Sequence, residues 1–102
     1  MSAPLPINVP KDKIVEFCDR NHVNKLSFFG SVLTQRFRPE SDVDVLVEFV
    51  PGQGPGFFEL SGMEIELSGL LGRRVDLRTP KELSRYFRDQ VLAGASVQYD
   101  RS

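Results

Sequence analysis

The chain has one cysteine, one histidine and no tryptophan in 102 residues. A lone Cys18 excludes an intrachain disulfide, and its place among Ile14, Val15 and Phe17 predicts a buried thiol on a helix. Charge of either sign is not in excess: 13 basic and 14 acidic residues leave a net charge of −1. A globally basic field that could hold nucleic acid is therefore missing, and no direct nucleic-acid binding is expected. Apolar runs fall short of the ~18 residues of a membrane span, and the N-terminus lacks a signal-peptide core. A cytoplasmic location and no membrane partner are the expectation. The length suits one domain with a single core.

What is present concentrates between Leu26 and Phe49, LSFFGSVLTQRFRPESDVDVLVEF. It reads as a buried strand at Leu26–Phe29, a Gly30-Ser31 turn into a short helix, and a second buried strand opening with Ser41-Asp42-Val43-Asp44. Carboxylates at i and i+2 on an extended chain project to one face. Such neighbours repel and call for a counter-charge, and oxygen ligands with room for water and phosphate suit Mg²⁺. A third acid, Asp76, sits in the apolar segment Arg73-Arg74-Val75-Asp76-Leu77, expected as a strand able to pair beside the second. Gly30 permits a sharp turn and close backbone approach to a ligand, and the amides after Ser31 are suited to phosphate.

The remaining elements follow from periodicity and punctuation. Residues 1–9 read as a flexible arm, and 10–102 as one domain. A helix is expected from Lys11 to Asn21, with Asn21 as a left-handed stop. His22, just past it, is given no chemistry. Pro51–Gly56 is a loop without a phosphate-binding Lys. A helix is expected from Phe57 to Leu71, with Gly72 ending it and Glu59, Glu64 and Glu66 on its solvated face. Thr79-Pro80-Lys81-Glu82 forms a capping box that should open a helix running to about Ala93, with Leu83, Phe87 and Val91 inward. Ser96–Tyr99 is a candidate edge strand. The fold class is α/β (α+β): a small mixed sheet of three to four strands with about four helices.

Gly-Ser, about ten residues, Asp-x-Asp, and a later strand Asp together resemble the minimal nucleotidyltransferases of the polymerase-β superfamily. The resemblance spans nearly the whole chain. It implies that Asp42, Asp44 and Asp76 are catalytic and hold two Mg²⁺ ions, and that Gly30 and Ser31 hold the phosphates of ATP or another nucleoside triphosphate. It also implies a partner, since such domains often pair as antitoxins with HEPN-domain proteins and in some systems transfer AMP to a toxin tyrosine. One departure stands out: Leu33-Thr34-Gln35 occupies the place of the Ala-Arg-Gly that many members carry after Gly-Ser. That departure favours an alternative in which the chain is a binding module that neutralises its partner by occlusion. Retention of all three acids argues for catalysis. Transfer to an antibiotic or another small hydroxyl compound is a third reading, disfavoured because those enzymes usually carry an additional substrate domain.

Overall fold

A computed structural model describes residues 5–101, with the side chain of Phe57 excepted. Its elements run α1 (Lys11–Arg20), β1 (Val23–Phe29), a 3-10 turn (Gly30–Leu33), β2 (Val43–Phe49), α2 (Phe57–Leu71), β3 (Val75–Arg78), a second 3-10 turn (Pro80–Glu82), α3 (Arg88–Gly94) and β4 (Ser96–Asp100). The four strands form one mixed sheet in the order β3-β2-β1-β4. β1 pairs antiparallel with both β2 and β4, and β2 pairs parallel with β3. The expected fold class holds.

Strand alternation sorts the side chains onto two faces. Leu26 and Phe28 of β1, Val43, Val45 and Val47 of β2, and Val75 and Leu77 of β3 join the main core. Ile14, Phe17 and Cys18 of α1 and Met63, Leu67 and Leu71 of α2 complete it. Burying such large side chains is worth roughly 1.5–3 kcal/mol each. The opposite face carries Asp44 and Asp76, yet Leu46 and Ser27 on that side are also buried. This double coverage explains why β2 reads as a continuous apolar run rather than an alternating one. The arm expected over residues 1–9 lies outside the described residues for its first four. From Leu5 onward, Leu5, Ile7 and Val9 pack against the core.

Several local expectations are corrected. Asn21 does not take the left-handed conformation: its φ is −103°, and His22 has the positive φ, 57°. Asn21 instead caps α1 from its side chain, the amide nitrogen donating to the Phe17 carbonyl at 2.9 Å. Gly72 does close α2 in the left-handed conformation at φ 65°. The helix expected from Thr79 to Ala93 is interrupted. Its capping box forms, but the backbone turns extended at Leu83 (φ −81°, ψ 143°), and α3 begins only at Arg88. Two interactions favour the break: Leu83 is buried, and Ser84 Oγ accepts from the Tyr86 amide. Phe87, expected inward, is 48% exposed.

Glu64 is not on a solvated face either. Its carboxylate accepts the Leu77 amide at 2.8 Å, and Ser68 Oγ accepts the Val75 amide at 3.0 Å. Two side chains one helical turn apart on α2 thus satisfy backbone donors of edge strand β3, which limits further pairing there.

Candidate active site

The three sequence-selected acids lie at one end of the sheet, where β2 and β3 begin. Parallel pairing makes Asp44 and Asp76 direct register partners. Adjacent strands are about 4.8 Å apart, so these carboxylates emerge side by side on the same face. Asp42 sits one residue before β2, which starts at Val43 rather than at Ser41. Its charge nonetheless reaches Asp44. The Asp44 carboxyl is pushed above the ordinary aspartate range by burial first, then by Asp76 and Asp42, with Arg78 opposing. Repulsion among the acids is therefore present in the folded chain.

Gly30 meets this cluster from β1. The β1–β2 register ends at Phe29 opposite Asp44, so the next residue turns over the Asp44 side chain. Gly30 has φ +77°, and a Cβ built there would overlap Asp44 Oδ2. Only glycine brings the backbone this close to the carboxylate. Ser31 follows inside the turn and is partly buried. The turn is short because Thr34 stops it: its amide and its hydroxyl both donate to the Ser31 carbonyl, at 2.9 Å each. Thr34 belongs to the segment that departs from Ala-Arg-Gly. Here it serves as a local stop.

Three residues not assigned roles from sequence support the site. Arg78 Nε lies 3.1 Å from Asp76 Oδ1, and Arg78 also pairs with Glu82 at 3.7 Å. The hydrogen bond to Asp76 is the main cause that raises the Arg78 pKa. Arg73 donates from one nitrogen to the carbonyls of Arg38, Pro39 and Ser41 at 2.9, 2.9 and 3.2 Å. Its guanidinium also stacks 4.6 Å over the Phe37 ring. Together with the Val43 amide donating to the Arg74 carbonyl at 2.9 Å, this pins the loop that delivers Asp42. Glu64 fixes the backbone right after Asp76, as described above. Cation-rich RRVDLR was a visible signal for the arginines; the role of Glu64 had none.

Among the described residues, no group of three or more His, Cys, Asp or Glu side chains is placed to hold a metal ion. Mg²⁺ does not need one, since it usually keeps water and takes one or two carboxylates with substrate phosphate. The open pair Asp44–Asp76, flanked by Asp42, fits that donor set.

A family model described as "Nucleotidyltransferase domain" matches residues 11–97. The chain belongs to this nucleotidyltransferase family. It is 34% identical over 84% of its length, and 90% of the relative's, to a Methanocaldococcus jannaschii protein named "Putative protein adenylyltransferase MJ0435". Its fold is shared with a chain from the crystal structure of a toxin–antitoxin with AMP-PNP, at a TM-score of 0.72 and 19% identity over 90% of this chain and 74% of that one. It is also shared with a chain from a complex of tri-AMPylated Shewanella oneidensis HEPN toxin with MNT antitoxin. There the TM-score is 0.63 and the identity 20%, over 88% of this chain and 69% of the other. The matched region contains Gly30, Ser31 and all three acids, so this nucleotidyltransferase domain retains the residues on which the sequence resemblance rests.

Proposed function

We propose that this nucleotidyltransferase moves AMP from ATP to a hydroxyl of a protein partner of the HEPN type, and thereby acts as an antitoxin. The observation that carries the chemistry is the Asp44–Asp76 register pair with the Gly30 backbone closing over Asp44. Asp42, Asp44 and Asp76 would hold Mg²⁺, two ions in the active complex. Bound there, the metal would lower the pKa of the acceptor hydroxyl and stabilise charge on the attacking and leaving oxygens. The Gly30 amide and Ser31 would hold the triphosphate. The acceptor oxygen forms its bond to the α-phosphorus as the bond to pyrophosphate breaks, and its proton is lost to solvent. Asp76 would complete the metal site that carries the acceptor hydroxyl, and would favour the ionised oxygen only through the positive charge it helps to hold there. A relative named "Putative protein adenylyltransferase MJ0435" and a fold shared with a chain from the complex of tri-AMPylated HEPN toxin with MNT antitoxin support the choice of AMP and of a protein acceptor.

The occlusion reading keeps one specific support, the loss of Ala-Arg-Gly at residues 33–35. Calorimetry with ATP and Mg²⁺ separates the two. Catalysis requires metal-dependent binding that Asp42→Asn/Asp44→Asn abolishes, followed by AMP transfer to the partner protein detected by mass spectrometry. A folded chain that neutralises the partner while neither it nor the complex binds nucleotide would establish occlusion.

A further inference from the structure

Helix α2 is apolar on more than its core side. Met63, Leu67 and Leu71 face inward, but Phe58 is 87% exposed and Ile65 74% exposed. At 100° per residue, Phe58, Gly62, Ile65 and Gly69 fall in a stripe about 60° wide on the outer surface. Both glycines are at ordinary helical φ, and a Cβ built at either would meet nothing within 4 Å. Glycine inside a helix costs about 1 kcal/mol relative to alanine. Nothing in the described chain requires that cost at either position. Close approach by a helix from outside would.

The stripe also specifies which helix. Its large residues, 58 and 65, and its small residues, 62 and 69, are placed symmetrically about the point between Met63 and Glu64. A second α2 running antiparallel across that point sets Phe58 over Gly69 of the partner subunit and Ile65 over Gly62 of the partner subunit. Each large side chain then meets a glycine, the self-complementarity that a two-fold interface demands. Charge is compatible with this register: Glu59 of one copy lies opposite Ser68 of the other, about 3 Å along the axis from the Arg20–Glu66 pair, where the Arg20 side chain is 53% exposed and Lys13 and Glu16 line the same groove. We propose that α2 forms an isologous antiparallel dimer of this chain. Phe58 brings roughly 150–250 Å² and Ile65 less, short of the ~800 Å² per partner of a standard interface, so the dimer is weak and concentration-dependent.

Sedimentation of the full chain across a concentration series tests the proposal, with disulfide trapping to fix the register. A monomer–dimer equilibrium is expected that Phe58→Glu, Ile65→Glu and Gly62→Leu each shift at least about tenfold toward monomer, roughly 1.4 kcal/mol. Folding of each variant is checked by circular dichroism, and exposure of all three positions favours retention of the fold. Phe58→Cys chains should cross-link to Gly69→Cys chains but not to one another, because the two copies of residue 58 stand about 16 Å apart along the helices. Cys18 stays silent, since it is buried and its thiol is pushed up to about 12. A chain that remains monomeric throughout, a dimer indifferent to the three substitutions, or cross-linking between two Phe58→Cys chains would each overturn the proposal.

Discussion

Gly30→Ala isolates the contact on which the site is built. Gly30 and Gly72 both adopt left-handed backbone, at φ +77° and +65°, but only Gly30 has Asp44 in the space a Cβ would occupy. The left-handed conformation costs a non-glycine residue about 1–2 kcal/mol. Gly72→Ala incurs that cost alone, since a Cβ there meets nothing within 4 Å. Gly30→Ala must also drive the Asp44 carboxylate from its position, an off-rotamer displacement of roughly 0.5–1.5 kcal/mol. Chemical denaturation should therefore show about 1.5–3.5 kcal/mol lost at Gly30 and about 1–2 kcal/mol at Gly72. For a domain of this size each kcal/mol moves Tm by roughly 4–8 °C, so the gap is resolvable. In an Asp44→Ala background the excess at Gly30 should disappear, a coupling of about 0.5–1.5 kcal/mol. If the two alanine variants lose equal stability, or if the excess survives without the carboxylate, the close approach is not what requires glycine. On the proposed function, Gly30→Ala would also weaken Mg²⁺-dependent ATP binding while Gly72→Ala would not.

Asp44→Asn should be at least as stable as wild type at pH 7. Its carboxyl is raised by burial and by Asp76 and Asp42, so folding favours the protonated form. That contribution is full below the ordinary aspartate pKa of about 3.9 and is lost as pH rises through the folded value, leaving ionised Asp44 a cost at neutral pH. Discounted for solvent screening, the gain is at most about 1 kcal/mol, and denaturation at several pH values should show it vanish below about pH 4. Arg73→Lys should cost about 1–2 kcal/mol and speed hydrogen exchange at residues 38–43, because a lysine cannot stack on Phe37 and serve three carbonyls in the same way. Unchanged exchange would remove Arg73 as the loop's anchor. Glu64→Ala leaves the Leu77 amide without its acceptor, costing about 1–3 kcal/mol by denaturation, whereas Glu64→Gln retains a carbonyl oxygen and should recover most of it.

The readings that succeeded were those in which short-range patterns and tertiary packing agree. β2 and β3 were legible as apolar runs, Gly72 as a left-handed stop, and the Thr79–Glu82 capping box as a box, the Thr79 amide donating to Glu82 Oε1 at 3.1 Å, though not as the start of the long helix expected from it. The box opens only a single turn because the next residue, Leu83, is drawn into the core in an extended conformation, a long-range effect no local propensity carries. Asn21 and His22 illustrate a finer limit. Both are polar residues at a helix end; Asn21 turns its side chain back on the Phe17 carbonyl, and His22, the last residue before β1, takes the positive φ. Glu64 shares helical periodicity with the surface acids around it. What sets it apart is an unpaired amide on β3, visible only once helix and edge strand are side by side.

The acids of the candidate site meet their mutual repulsion differently. Asp76 has a positive partner in Arg78, while among the described residues Asp44, wedged beneath Gly30, has its raised proton affinity opposed only by the more distant Arg78. On the proposed function, a divalent cation supplies the neutralisation that Asp44 lacks, and Arg78 competes with it for Asp76. Arg78 is more than 40% exposed and linked to Glu82 as well, so it can release Asp76 without losing every partner. Arg78→Ala should then tighten binding of Mn²⁺, measured by its paramagnetic resonance signal without nucleotide, by several-fold. Its cost in stability should stay below about 1 kcal/mol, as for other exposed pairs. Weaker Mn²⁺ binding would mean the opposite role: Arg78 would hold Asp76 in the orientation the metal needs, and its removal would let the third acid turn away.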